Sequence, residues 1–215
     1  MNMPTNPIRV LLVDDHAIAR NGVRLMLGTA GDIEVVGEAS NAQEAMQLIE
    51  TLEVDVALLD ITMPGKNGLD LLKSMKAERP RLGVLMLSTY SEEIYAVRAL
   101  KLGAAGYLTK DVPTAVLIEA VRKVAKGGKH VSPALVDRLA SMIGGGAPAA
   151  GHEALSNREL EVFKLIAKGE SLVRIGELLH LSPNTVTTYR TRILEKMGMT
   201  TNAELTRYAI EQGLL

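Results

Sequence analysis

The chain has no cysteine and no tryptophan, and its aromatic residues are five tyrosines and one phenylalanine, 3% of 215 residues. Without cysteine, disulfides and thiolate metal sites are excluded, as expected of a reducing compartment. With so few aromatics, any core must rest on Leu, Ile, Val, Ala and Met. The 47% apolar content suffices for that, and the ten methionines are expected to fill cores. No uninterrupted apolar run approaches membrane-spanning length, and no charged segment precedes an apolar signal-like stretch. The expectation is a soluble cytoplasmic protein. Charge of one sign is also missing: the net charge is −1, and between His152 and Leu215 eight basic residues cancel eight acidic ones. Composition therefore gives no nucleic-acid signal, and such a reading must come from where the charges sit. No GxxxxGK[ST] loop follows a strand, which argues against a nucleotide-dependent enzyme. His130, His152 and His180 are too scattered for a metal motif. The length admits one large domain or two small ones.

What the sequence does have is a set of apolar runs that end in chemistry. Ile8 to Val13 is followed by Asp14-Asp15, Val54 to Leu59 by Asp60, Val84 to Leu87 by Ser88, and Tyr107 to Thr109 by Lys110. Each reads as a buried parallel strand, and Ile33 to Gly37 supplies a fifth. Ile18 to Leu27, Asn41 to Thr51, Leu69 to Arg79, Glu92 to Leu102 and Thr114 to Lys126 carry apolar residues at helical spacing between them. Five strands alternating with five helices make a doubly wound α/β parallel sheet. The carboxyl ends of its strands line one crevice, so these residues, distant in sequence, would meet there. One aspartate at a strand end is most often a cap or turn residue; the set in register is harder to dismiss.

Crowded carboxylates repel, and a hard divalent cation that prefers oxygen relieves them; Mg²⁺ fits. For the same reason His16, beside the acidic pair, reads as a helix-entry or surface residue. Lys110 adds a compact charge suited to phosphate. A carboxylate next to Mg²⁺ and an ammonium, with a hydroxyl opposite, is arranged to receive a phosphoryl group. Asp60 is the expected acceptor, held at the rim by the loop Ile61-Thr62-Met63-Pro64-Gly65-Lys66-Asn67-Gly68 before a helix opens at Leu69.

With Asp14-Asp15, Asp60-x-x-Met63-Pro64-x-x-x-Gly68, Leu87-Ser88 and Gly106-Tyr107-Leu108-Thr109-Lys110 in order, residues 8 to about 127 resemble a bacterial response-regulator receiver domain, which is flavodoxin-like. The resemblance implies that Asp60 takes phosphate from a histidine kinase. It implies that Asp15, Asp60 and the Thr62 carbonyl ligate Mg²⁺, with Asp14 holding the ion through water. Ser88 and Lys110 would bind phosphate oxygens, and Tyr107 would rotate inward when Ser88 moves. Ser88 stands where threonine is also frequent, a conservative change because only the hydroxyl is needed.

Alternation stops at Gly127-Gly128. A further helical stretch, Ser132 to Ile143, leads into Gly144-Gly145-Gly146-Ala147-Pro148-Ala149-Ala150-Gly151, which reads as a flexible tether. The expected division is a receiver at 1–127, a linker at 128–151 and a second domain at 152–215. That domain is all helical in pattern. Ser156 and Glu159 form a capping-box signature ahead of Leu160, Val162, Phe163 and Ile166, and Gly169 ends that helix. Ser171 caps Leu172 to Leu179; a turn through His180-Leu181 leads to Ser182-Pro183, an N-cap followed by proline at the first helical position. The helix Pro183 to Met197 turns Val186, Ile193 and Leu194 inward. Ser182, Asn184, Thr185, Thr187, Thr188, Tyr189, Arg190, Arg192 and Lys196 supply its polar and basic groups. Two short helices with a tight turn are the pattern of a DNA-reading helix-turn-helix. Asn184 can pair with adenine, threonine methyls can touch thymine, and Arg190, Arg192 and Lys196 can meet phosphate or guanine. An amphipathic bundle helix with a solvated face is the competing reading.

Leu155-Ser156-x-Arg158-Glu159-x-Glu161-Val162, Ile175, Leu181-Ser182-Pro183-x-Thr185-Val186, Arg190, Ile193, Lys196-Met197-Gly198 and Ala203-Glu204-Leu205 resemble the LuxR/FixJ-type DNA-binding domain. The whole chain then resembles a NarL/FixJ-type response regulator. Departures stand at Val173 and Thr187, where a basic residue is common, and at Tyr189, where histidine is common. They remove possible phosphate contacts and leave two rivals open: a non-DNA adaptor, and a small phosphotransferase or phosphatase using the same carboxylates. The resemblance implies that the inactive receiver masks the recognition helix. It also implies that the active tail forms a homodimer on promoter DNA through Asn202 to Gln212. Leu205, Tyr208 and Ala209 share one helical face there and are candidates for the seam or for the domain's own core.

Overall fold

A computed structural model describes residues 6–63, 67–89, 92–133, 135–137, 140 and 151–215. The chain divides into two compact units, 1–140 and 141–215. Most of the expected tether and part of the helical stretch Ser132 to Ile143 lie outside the described residues, as do Pro64, Gly65 and Lys66.

In the first unit, strands β1 (Ile8–Val13), β2 (Ile33–Ala39), β3 (Val56–Leu59), β4 (Gly83–Ser88) and β5 (Gly106–Thr109) alternate with helices. The helices are α1 (Ala17–Gly28), α2 (Ala42–Thr51), α3 (Gly68–Glu78), α4 (Glu92–Lys101) and α5 (Thr114–Ala125). The sheet is parallel with order β2-β1-β3-β4-β5. Its strands are near-continuous apolar runs because helices cover both faces. Val10, Leu12, Val56, Leu58, Leu85, Leu87 and Leu108 point to one face and are buried with Leu117, Val121 and Val124 of α5 and Leu27 of α1. Strand alternation sends Leu11, Ala57, Leu59 and Met86 to the other.

Two strand boundaries differ from expectation by two residues, and those of β4 and β5 by one. β2 runs two residues further, to Ala39, because a register shift between Val10 and Leu11 lets Gly37, Glu38 and Ala39 pair with Leu11, Leu12 and Val13. β3 starts two residues later, at Val56. Asp55 is instead occupied by Arg9, accepting from its Nε at 3.1 Å, its Nη2 at 2.9 Å and its backbone N–H at 2.8 Å.

The described part of the second unit starts with a 3₁₀ turn (Gly151–Ala154) that the sequence pattern did not disclose, followed by α6 (Asn157–Ala167), α7 (Leu172–Leu179), α8 (Pro183–Met197) and α9 (Asn202–Glu211). Ser156 and Glu159 form the expected capping box, and Thr201 with Glu204 forms a second one at α9. Ser171 and Ser182 cap α7 and α8 as expected. The turn between α7 and α8 is tight: His180 adopts φ 53°, and the Leu181 N–H reaches the Gly176 carbonyl at 2.8 Å. A Cβ on Gly176 would stand 2.8 Å from the Leu181 carbonyl oxygen, so the corner requires glycine.

Candidate phosphoacceptor pocket and DNA-facing helix

The sheet order makes the crevice. β1 connects to β2 on one side and neighbours β3 on the other, and pairing of Val13 with Leu59 sets Asp14 beside Asp60. Ser88 pairs with Thr109, so Lys110 emerges next to them, its N–H bonded to the Ser88 carbonyl at 2.8 Å. Lys110 Nζ lies 2.7 Å from Asp14 Oδ2 and 2.9 Å from Asp60 Oδ2. Asp60 is 3% exposed and Asp14 5%. Gly68 closes the loop behind Asp60: its N–H donates to the Ile61 carbonyl at 2.8 Å, and a Cβ there would collide with the Asp60 backbone oxygen.

The electrostatics follow from this burial. Removal from water pushes the Asp60 carboxyl above the usual range, and neighbouring Asp14 adds to it. Lys110 and the Thr62 backbone N–H pull the other way without cancelling the effect. Burial also works against the Lys110 charge, yet its hydrogen bonds to Asp14 and Asp60 outweigh that and hold the ammonium above its ordinary value. One ammonium thus serves two buried carboxylates, and negative charge is left over.

Asp15 adds to that surplus. Its Oδ1 is buried and makes no hydrogen bond among the described residues. His16 Nδ1 lies 2.9 Å from it, near enough for an ion pair when the imidazole is protonated. His16 itself stands at the helix entry of α1, exposed, with no side-chain cap bond. Ligand atoms of Asp14, Asp15, His16 and Asp60 lie within 4.8 Å of one another. An orphaned carboxylate oxygen beside two buried carboxylates fits a hard cation. Ser88 is fully buried, Thr62 half-buried, and Tyr107 is already inside, 2% exposed. The structure brings Asp14, Asp15, Asp60 and Lys110 together, with Ser88 joined to Lys110 through the backbone.

On α8, Val186, Ile193 and Leu194 are buried as expected, and Asn184, Thr187, Thr188 and Arg192 are exposed. Ser182 Oγ caps the Thr185 N–H and meets Thr185 Oγ1 at 2.8 Å. The Thr187 and Thr188 hydroxyls turn back to the carbonyls of Pro183 and Asn184, both at 3.0 Å. Tyr189 is half-buried. The three cations differ. Arg192 has no side-chain partner among the described residues, Arg190 Nε donates to Asn202 Oδ1 at 2.7 Å, and Lys196 Nζ sits 2.6 Å from Glu159 Oε2.

The proposed seam needs correction. Leu205 and Ala209 are both 0% exposed, because that stripe of α9 packs on α6 inside the domain. Tyr208 is half-buried, its hydroxyl 2.9 Å from His152 Nδ1. The outward apolar residue of α9 is Ile210, 65% exposed. The helical spacing does place these residues on one face, and of the two surfaces open to that face it is the domain's own core that Leu205 and Ala209 meet. Sequence reasoning also missed the Glu159–Lys196 and His152–Tyr208 pairs, whose members are 37 and 56 residues apart with no local spacing signal.

Comparison with known proteins identifies the family of each unit. Residues 10–122 match the response regulator receiver domain, and residues 153–209 match the bacterial regulatory proteins of the luxR family. The chain is 36% identical over 208 residues to the response regulator UvrY of Escherichia coli strain K12, covering 96% of this chain and 95% of that one. It is 34% identical over 209 residues to the response regulator GacA of Pseudomonas aeruginosa, covering 97% and 98%. Among solved structures, RcsB from Salmonella enterica serovar Typhimurium, bound to promoter rprA in the presence of phosphomimetic BeF3⁻, is similar at 27% identity with a TM-score of 0.65. That likeness covers 94% of this chain and 98% of the other.

Proposed function

Given that the chain belongs to the NarL/FixJ family of response regulators, with a receiver domain followed by a LuxR-type DNA-binding domain, we propose that Asp60 is its phosphoacceptor and that phosphorylation there controls promoter binding by the tail. The carrying observation is the convergence of Asp14, Asp60 and Lys110 within 3 Å contacts at the strand ends. The phosphoryl group would pass from a histidine of a sensor kinase to an Asp60 carboxylate oxygen, the P–N bond breaking as the P–O bond forms. Lys110 would move from the carboxylates toward the phosphate oxygens, and the Ser88 hydroxyl would donate to another. Tyr107 would hold the space beside Ser88.

The cation that fits is Mg²⁺, which Asp15, Asp60 and the Thr62 carbonyl would hold, with Asp14 acting through water. When bound, it offsets charge on the transferring oxygens. The orphaned Asp15 Oδ1 supports this assignment. A phosphoryl group adds roughly −1.5 to −2 charges, and full switching needs on the order of 5 kcal/mol of differential interaction.

In the tail, Ser182, Asn184, Thr185, Thr187, Thr188, Tyr189, Arg190 and Arg192 are assigned to the DNA face of α8. The homodimer is assigned to the outward side of α9 around Ile210. Among the described residues no helix is long and apolar enough to cross a membrane. The test is DNA binding by fluorescence anisotropy, with and without a small-molecule phosphodonor and Mg²⁺, for the protein and for Asp60→Ala. Tighter binding and dimers that need both phosphodonor and Asp60 are the expected result. Equal binding in all four cases would assign control to abundance or a partner, and no DNA binding, or binding without preference between sequences, would favour the adaptor.

A further inference from the structure

The recognition helix is fastened at its far end by one carboxylate. Glu159, in the first turn of α6, is 3% exposed, whereas the Lys196 side chain in the last turn of α8 is 42% exposed. The Glu159 Oε2 atom that takes Lys196 Nζ at 2.6 Å also accepts the Ser156 N–H at 2.7 Å. The Glu159 N–H in turn donates to Ser156 Oγ at 3.3 Å. A single side chain therefore closes the start of α6 and holds the end of α8. A carboxylate this buried requires a counter-charge, and Lys196 is the cation on it. Were Lys196 to swing out to a DNA phosphate, it would gain a solvent-exposed contact and strand a buried charge. The second effect is the larger.

We propose that Lys196 is a positioning residue: it acts on DNA binding through Glu159, fixing the angle at which α8 stands on α6, and does not neutralise a phosphate. The proposal rests on the DNA-binding role of the tail and departs from the direct-contact role that its basic side chain and helix position suggest. The geometry explains why a charged group at the end of the helix points toward the domain.

The experiment uses the full chain with Lys196→Gln, Glu159→Gln, the double variant and Lys196→Arg, in two measurements. The first is affinity for promoter DNA across a salt series. Each Gln variant should weaken binding about tenfold, the order of one lost charged hydrogen bond, with the double variant no weaker than the worse single one. The slope of log affinity against log salt should stay that of the parent, and Lys196→Arg should retain parental affinity. The second is amide hydrogen exchange without DNA, where Lys196→Gln should speed exchange in the first turn of α6, 37 residues away. If Lys196→Gln lowers the salt slope by about one, or Glu159→Gln leaves affinity intact, Lys196 is a phosphate contact and the proposal falls. It falls equally if exchange at α6 is unchanged. A parent chain with no affinity for any DNA would remove the DNA role itself, and faster exchange in the variant would then mark the pair as purely structural.

Discussion

The receiver crevice and the outer face of α8 hold their charges in opposite ways. In the crevice, residues from the ends of separate strands share one buried volume, and a single ammonium bridges two carboxylates at 2.7 and 2.9 Å. On α8, the polar residues are spread along one helix, and those that are paired are met one at a time by neighbouring carbonyls, Asn202 or Glu159. Concentrated charge makes the first site an all-or-none device, since altering one member changes the energy of every other. Distributed contacts make the second graded, with each base contact worth about 1–3 kcal/mol. A switch suits the first arrangement and a reading surface the second.

The contrast can be broken or sharpened by measurement. Lys110→Met leaves Asp14 and Asp60 unpaired, so metal-free stability should fall by about 3–5 kcal/mol, with part recovered by millimolar Mg²⁺. Urea denaturation followed by circular dichroism checks both, and a loss below 1 kcal/mol would remove the claim that the crevice acts as one unit. In the tail, Leu205→Ala should cost about 2–5 kcal/mol because its stripe is core. Ile210→Ala should leave stability within about 0.5 kcal/mol while weakening the dimer in sedimentation; the reverse pattern would restore the buried stripe as the seam. Saturating Mg²⁺ should stabilise the parent by about 2.7 kcal/mol at a hundred times its dissociation constant. Asp15→Asn should abolish that gain in a thermal shift titration without altering the far-ultraviolet spectrum.

The smallest expected effect is in pH dependence, and its sign differs between the two units. The Asp60 carboxyl is raised by burial, so the folded state binds more protons and this group's contribution falls as pH rises from about 4 through its raised value in metal-free buffer. Glu159 behaves the other way. Burial would raise it, but Lys196 and the Ser156 groups hold it below the usual range, so its contribution is present above about 4.5 and is lost as pH falls below that. Thermal midpoints of Asp60→Asn and Glu159→Gln, each referred to the parent between pH 4 and 7, should therefore drift in opposite directions. Parallel drifts would contradict the assigned environments.

The legible part of the sequence was whatever depends on neighbours along the chain. Apolar runs, helical spacing, the serines that cap α6, α7 and α8, and Pro183 at the first position of α8 state their roles locally. The extension of β2 to Ala39 was not legible because it depends on a shifted register with β1. Nor was Arg9, which takes Asp55 away from β3 across 46 residues. The stripe Leu205, Tyr208 and Ala209 marks the limit: periodicity shows that residues share a face, and nothing local says whether that face meets α6 or another molecule.

By itself the sequence determined which elements form and which residue types end them: acid after β1 and β3, hydroxyl at the end of β4, ammonium after β5, polar and basic groups along α8. Those choices rest on backbone geometry and on burial along one segment. The tertiary structure alone decided that one ammonium would serve two carboxylates, that an Asp15 oxygen would be left without a hydrogen bond, and that Lys196 would turn to Glu159. Pairing of charges is settled by which buried groups the fold brings within 3 Å. Desolvation acts on that neighbourhood and not on order in the chain.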